Sequence, residues 1–187
     1  MKIIQAKDDN KRWYEILIDD EDYERCSQVS WCISRSMYSY KVIGSYKEDV
    51  IRIANFILGL PVGIIVDHID CNQLNNLKIN LRQCTQLENS RNRGPNAGRR
   101  YKGVYYRPNK KIPNWEASIN YLGKNISLGM FKTPEEAAKV RDKASIRYHG
   151  EFAKLNFPNE IPVSKLQGSS STDEKSTNTI TSKGNKE

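Results

Sequence analysis

Asp67 and His68 stand side by side. Asn80 follows His68 by twelve residues and Asn89 follows Asn80 by nine. One carboxylate, one imidazole and two carboxamides suit the hydrolysis of a phosphodiester. That reaction needs a divalent cation to neutralise the phosphate and stabilise the leaving oxygen, and a base to take a proton from water. Hard oxygen ligands suit Mg²⁺ better than thiolates do. Asp67 and the carboxamide oxygen of Asn89 can supply two of them, with water and phosphate oxygens filling the rest. His68, the strand neighbour of Asp67, points to the opposite face and can reach the water. Asn80 can hold the imidazole in one tautomer. The chain has two histidines, His68 and His149, so imidazole chemistry has two candidates.

The segment 63–92, GIIVDHIDCNQLNNLKINLRQCTQLENSRN, must position these groups. Ile64-Ile65-Val66 reads as a short strand that delivers Asp67 and His68 at its end. A loop rich in Asn follows, with Asn72, Asn75 and Asn76. Leu81 to Cys84 reads as a second strand. Thr85-Gln86-Leu87-Glu88 has the form of a capping box and starts a helix whose first turn carries Asn89. Taken singly, a histidine is more often structural, Asn-rich loops are usually turns, and Asp67 and Asp70 can simply cap a hairpin. The four groups together favour the chemical reading. Cys71 and Cys84 are expected to be small buried fillers, because two thiols without two further ligands close no zinc site.

The stretch VDHIDCNQLNNLKINLRQCTQLENSRN resembles the HNH endonucleases, in particular the homing-endonuclease branch of phages and mobile introns. The resemblance spans the Asp-His pair, the LNNLxxNLR loop and the xENSRN helix, in the variant with Asn at the last two motif positions. It implies a ββα-metal nuclease fold, with Asp67 and Asn89 as metal ligands, His68 as general base and Asn80 orienting His68. Asn89 rather than His at the third position argues against zinc or nickel and for Mg²⁺ or Mn²⁺. Cys71 departs from the family, standing where many relatives carry Gly in the turn after the Asp.

Upstream, KIIQA and RWYEILI read as a hairpin turning at Asp8-Asp9-Asn10. Residues 19–29 read as a short acidic helix or turn. WCIS and MYSYKVIGSY read as a second hairpin. From Glu48, Val50, Ile53, Ala54 and Ile57 recur at helical spacing, predicting a helix that ends at Gly59 and Pro61. The first nine residues contain no signal-peptide core. Four sparse cysteines suggest reduced, intracellular thiols. The mean hydropathy is −0.72, and no apolar run approaches the ~18–20 residues of a membrane span.

The net charge of +8 is uneven. Residues 1–90 hold 11 basic and 13 acidic side chains; residues 91–150 hold 14 and 4; residues 151–187 hold 5 and 5. The excess therefore lies in one 60-residue stretch that interleaves Arg and Lys with Tyr and Trp, as polyanion-binding surfaces do. The near-neutral first sixty residues lean toward completing the nuclease core. RGPNAGRR, 93–100, reads as a linker. After Pro158 the chain turns Ser-, Thr-, Asn- and Lys-rich and is expected to be disordered.

Residues 100–158 show three period-2 runs: Val104/Tyr106; Trp115/Ala117/Ile119/Tyr121; and Ile126/Leu128/Met130. Each strand has one apolar and one polar or basic face. Thr133-Pro134-Glu135-Glu136 starts a helix that continues through Ala137, Arg141, Ala144 and Tyr148 and ends at Gly150. Its small residues let it lie on the apolar face of the sheet. The other face is bare, and a three-stranded sheet can enter a DNA major groove. YKGVYYRPNKK, NWEASI, ISLGMFKTPEEAAKVRDKA and YHGEFAKLNF resemble the Apetala2/ethylene-response-factor DNA-binding domain. That resemblance implies DNA contact by Lys102, Tyr105, Arg107, Ser118, Asn120, Asn125 and Ser127. Plant members use more arginines and a tryptophan where this chain has Tyr105, Ser118, Asn120 and Ser127, so a GC-box target is not implied. His149 reads as a partner of the helix C-terminal dipole.

The expected architecture is therefore α+β: an HNH nuclease module at 1–92, a linker at 93–100, an Apetala2-like module at 101–158 and a disordered tail from 159. The expected function is a metal-dependent DNA endonuclease, nicking one strand per site. It would use Mg²⁺ or Mn²⁺ and act on double-stranded DNA as a monomer or weak dimer. It would work in the host cytoplasm as the product of a phage or mobile element. The alternatives are a DNA-binding regulator with a decayed nuclease half and a basic RNA-binding or packaging protein.

Overall fold

The computed structural model describes residues 1–36, 39–108 and 114–160 of the 187. The expected tail lies outside them, apart from its first two residues in a 3-10 turn at Pro158–Glu160. The Met37-Tyr38 start of the second hairpin strand also lies outside.

The first hairpin forms as β1 (Lys2–Asp8) and β2 (Trp13–Ile18), in antiparallel register. Its turn is built by Asp8, whose Oδ1 accepts from the amides of Asn10 and Arg12. The acidic stretch forms a 3-10 turn at Asp20–Asp22 and then α1 (Tyr23–Ser27). The next strands are β3 (Trp31–Ser36), β4 (Ser39–Tyr46) and β5 (Asp49–Arg52). They complete a five-stranded sheet in the order β2-β1-β3-β4-β5, in which β1 and β3 run parallel.

β5 corrects the expected helix from Glu48. Residues 49–52 pair with β4, and Val50 is 65% exposed. Lys47 and Glu48, both at positive φ, close a two-residue turn. The chain folds back to satisfy backbone groups that β4 would otherwise leave open. Only α2 (Ile53–Leu58) is helical, and it ends at Gly59 with φ +65°.

The two nuclease strands are β6 (Ile65–His68) and β7 (Leu81–Cys84), paired as an antiparallel ribbon. α3 (Gln86–Asn92) follows, with both bonds of the Thr85/Glu88 capping box present. Val66 and Leu81 belong to the same buried cluster as Ile4, Ile16, Ile33, Val42 and Ile57. The sheet and the ββα unit therefore share one core.

The second sheet has the order β10-β9-β8 and is antiparallel throughout. Its strands are β8 (Val104–Tyr106), β9 (Trp115–Tyr121) and β10 (Lys124–Phe131). α4 (Pro134–His149) packs against it, capped by Thr133 and Glu136. Tyr101, Val104, Ala117, Ala137 and Ala138 form a second core. The buried stripe of α4 also takes in Arg141, Asp142, Ser145 and His149 and is more polar than the sequence pattern suggests. Among the described residues, no helix is long and apolar enough to cross a membrane.

Candidate active site

β6 ends in Asp67 and His68, and the loop 69–80 returns the chain to β7. That loop is held from outside. Leu17 of β2 exchanges backbone hydrogen bonds with Leu74 and Asn76, both at 2.8 Å. The Lys78 amide donates to Asp19 Oδ2 at 2.8 Å, and Asn55 Nδ2 donates to Ile64 O at 2.8 Å, just before β6. The N-terminal sheet therefore positions the site through backbone and amide contacts.

Asp67 and His68 line a cleft of about 890 Å³ together with Gln73, Asn76, Asn89 and Asn92. Lys41, Arg52 and Arg93 add basic side chains to its walls. Asp67 is 5% exposed. Its Oδ2 accepts from Arg82 Nε at 3.0 Å and Nη2 at 2.7 Å. Asn92 Nδ2 lies 3.0 and 3.1 Å from the two carboxylate oxygens and also reaches His68 O at 2.9 Å.

The imidazole partner is Asn76, not the expected Asn80. His68 Nε2 lies 3.0 Å from Asn76 Oδ1. Asn76 Nδ2 donates to Gln73 O at 3.1 Å, so its oxygen faces the ring. A carbonyl oxygen only accepts, so Nε2 carries the proton and Nδ1 keeps its lone pair. Burial pulls the His68 pKa below its ordinary 6.5, against the opposing effects of Asn76, Asp70 and Asp67. The ring is therefore neutral at pH 7.

Asn80 works in the loop instead. Its Nδ2 donates to Asp70 Oδ1 and Asn75 O, and its Oδ1 accepts from the Asp70 amide. The reason is geometric: Asn80 ends a 3-10 turn (Lys78–Asn80) facing the Asp70 bend. Cys71 occupies that bend at φ +66°, a left-handed backbone that explains the Gly of relatives. Its side chain is exposed, not the expected buried filler, and Cys84 is half-buried. The Cys71 thiol donates to Asn92 O at 3.2 Å and accepts from Lys154 Nζ at 3.1 Å.

The donor set fits a hard dication. Among the described residues, Asp67 Oδ1 accepts from Asn92 alone, and a carboxylate oxygen has room for a second partner. Asn89 lines the same cleft. Few oxygen donors leave coordination positions for water, as Mg²⁺ and Mn²⁺ require. Among the described residues, no group of three or more His, Cys, Asp or Glu side chains converges that could hold a metal ion by itself.

A second cleft, of about 620 Å³, lies on the other side of the linker, whose residues Gly94, Pro95 and Asn96 line both. Tyr105, Arg107, Asn120 and Asn125 line it beside Arg91 and Arg99. Arg99 and Arg107 lie over the Tyr105 ring, and Arg107 Nε donates to Glu116 at 2.7 Å. Ser127 is exposed and donates to Glu116 at 3.2 Å.

Two of the seven expected DNA contacts line the same cleft but are engaged within the protein. Ser118 is 3% exposed, because the chain at Gly103 runs over it and accepts its amide at 2.9 Å. Lys102 sends Nζ to the Arg91 and Arg93 carbonyls at the end of α3, at 2.5 and 2.6 Å. Burial, helped by the charges of Arg141, Lys154 and Arg93, pushes its pKa down to about 8. His149 is buried with its pKa lowered, first by burial; its neutral Nε2–H donates to Asn120 O at 2.9 Å. It is a strand-to-helix tie rather than a cation on the helix dipole.

Sequence reasoning missed Arg82, Asn92 and Asn76. Asn92 carried a signal, lying one helical turn beyond Asn89. Arg82 pairs with Asp67 across the ribbon, a register that follows once the two strands are aligned. Nothing in the sequence separates Asn76 from Asn72 and Asn75.

A family model described as HNH endonuclease matches residues 52–91. A protein of Acanthamoeba polyphaga mimivirus named as an HNH endonuclease, L560, is 33% identical over 143 residues, which cover 72% of this chain and 69% of the relative. The C-terminal region is similar to plant proteins. An AP2/ERF and B3 domain-containing protein of Oryza sativa subsp. japonica is 42% identical over 59 residues, 32% of this chain and 15% of the rice protein. Ethylene-responsive transcription factor ERF024 of Arabidopsis thaliana is 41% identical over 70 residues, 35% of this chain and 37% of its own length. No solved structure matches the chain. With the ββα ribbon, its Asp-His end and a viral relative matched over most of both lengths, this chain belongs to the HNH endonuclease family.

Proposed function

We propose that the chain is a metal-dependent DNA endonuclease that nicks one strand per encounter, guided by a DNA-binding module at 101–158. The observation that carries this reading is that Asp67, His68 and Asn89 line one cleft, which shares the wall 94–96 with a second cleft lined, among the described residues, by no carboxylate side chain. A phosphate backbone crossing that wall would touch both. Asp67 Oδ1 and the Asn89 carboxamide would hold Mg²⁺ or Mn²⁺. When bound, the cation supplies charge neutralisation at the phosphate and at the leaving oxygen. His68 Nδ1 takes the proton from the attacking water while Asn76 keeps Nε2–H in place. Arg82 and Asn92 hold the Asp67 carboxylate in one plane. Tyr105, Arg107, Asn120, Asn125 and Ser127 face the duplex. In-line attack would leave 5′-phosphate and 3′-hydroxyl ends. The chain would be the product of a phage or mobile element, an origin with which the viral relative is compatible, and would act in a host cytoplasm.

One observation favours a DNA-binding protein without catalysis: Asp67 is already neutralised by Arg82. Plasmid nicking separates the two readings. Supercoiled DNA is expected to become open-circular with Mg²⁺ and to stay intact in EDTA. His68→Ala is expected to lower the rate by about 10²–10⁴-fold with gel-shift affinity unchanged. Full activity in EDTA, or in His68→Ala, overturns the endonuclease reading.

A further inference from the structure

The two halves of the molecule meet on Arg82. Two of its N–H groups are spent on Asp67 Oδ2. A third, on Nη1, donates to the carbonyl of Glu151 at 2.7 Å, in the 3-10 turn Gly150–Phe152 that follows α4. The ring of Phe152 lies 3.9 Å from the guanidinium carbon. The Arg82 side chain is only 13% exposed. A planar guanidinium fixed on one edge and one face leaves its carboxylate partner little rotational freedom. The same seam carries the Lys154–Cys71 bond and the bonds from Lys102 to the end of α3. It continues to Asn92, which touches both Asp67 oxygens and accepts from Cys71 through its backbone oxygen. On the far side, His149, the residue just before Gly150, ties the end of α4 to Asn120 of β9.

We propose that Phe152 and the Glu151 carbonyl are positioning elements of the nuclease centre: by seating the Arg82 guanidinium they set the Asp67 carboxylate, so the sheet module aligns the site as well as binding DNA. This rests on the endonuclease reading for its chemistry, and on geometry alone for the seating. Glu151 accepts through its backbone oxygen at 2.7 Å, while its carboxylate, 73% exposed, lies 3.9 Å from Nη1, so the side chain to change is Phe152.

The test uses full-length chain with Phe152→Ala, Phe152→Tyr and Arg82→Lys. The readouts are Mn²⁺ binding by calorimetry, plasmid nicking, gel shift in EDTA, and hydrogen exchange of the amides of 65–70. Phe152→Ala is expected to weaken Mn²⁺ binding and nicking by about 10–100-fold, the range for residues that orient a ligand from behind. It should speed exchange at 65–70 and leave the gel shift within about twofold. Phe152→Tyr should restore all of these. Arg82→Lys keeps the charge but loses the fork, and should follow Phe152→Ala. Wild-type Mn²⁺ affinity and wild-type exchange in Phe152→Ala overturn the proposal. If the wild type neither nicks nor binds Mn²⁺, the endonuclease reading fails. The exchange rates then decide the seating by themselves: faster exchange in Phe152→Ala upholds it, and unchanged exchange overturns it.

Discussion

At the scale of single residues, the site depends on how few polar partners each group has. His68 is neutral because it is buried, and it keeps Nδ1 basic because Asn76 takes Nε2–H. A base must be unprotonated, so nicking is lost as pH falls through the His68 pKa. Because burial lowers that pKa, the acid limb of a pH–rate profile is expected below pH 6.5. Asn76→Asp places a carboxylate on the ring, stabilises the imidazolium and raises the pKa. Its acid limb is expected to move to higher pH in single-turnover nicking, and an unmoved limb would mean that another group is the base. Asp67, His68 and Asn89, which the family resemblance drew together, line one cleft. The engagement of Asn80 with Asp70 was not legible in the sequence, because which of several amides reaches a ring is settled by a loop path with no periodicity.

At the scale of elements, strong local signals agree with the fold. The Thr85/Glu88 and Thr133/Glu136 boxes start helices, and period-2 runs form strands. The exception is β5, whose turn is Lys47-Glu48 at positive φ, a pair without turn chemistry. Sheet pairing outweighed a helical spacing shared by only four apolar residues. Gly103 shows the opposite case, where the residue type is required. It has φ +72°, and a Cβ there would lie 2.5 Å from Ser118 O and 2.9 Å from Arg141 Cγ. Arg141 is 1% exposed and bonded to Lys154 O, so neither neighbour can yield. Gly103→Ala is expected to destabilise the chain by about 2–4 kcal/mol in denaturant unfolding. A loss under about 0.5 kcal/mol would show that the loop can move aside.

At the scale of the whole molecule, charge and cores divide differently. The charge excess sits in 91–150, yet the seam between the halves is closed by polar bonds around Arg82, Cys71 and Lys102. Lys102 spends its ammonium on two backbone carbonyls, so it should release few counterions on DNA. Arg99 and Arg107 line the sheet-side cleft and should. Each Arg→Ala there is expected to reduce the slope of log K against log salt by about 0.9 for every phosphate left without its arginine. Lys102→Ala is expected to leave the slope unchanged. A slope change for Lys102→Ala and none for the two arginines would mean that Lys102, which lines the same cleft, meets the phosphates in their place.

The sequence by itself determined the ββα motif, its candidate chemical groups, the sheet-on-helix module and the location of the basic stretch. Each follows from local spacing, capping and periodicity, which act within a few residues. Only the tertiary structure decided that β2 staples the nuclease loop, that Asn76 and not Asn80 meets His68, that Ser118 is buried and that the Lys102 ammonium meets the carbonyls after α3. It also decided that Phe152, 85 positions after Asp67 in the chain, stacks on the arginine holding that carboxylate. These contacts join segments far apart in the chain, and they are set by packing and by the need of buried charges for partners, neither of which leaves a local pattern.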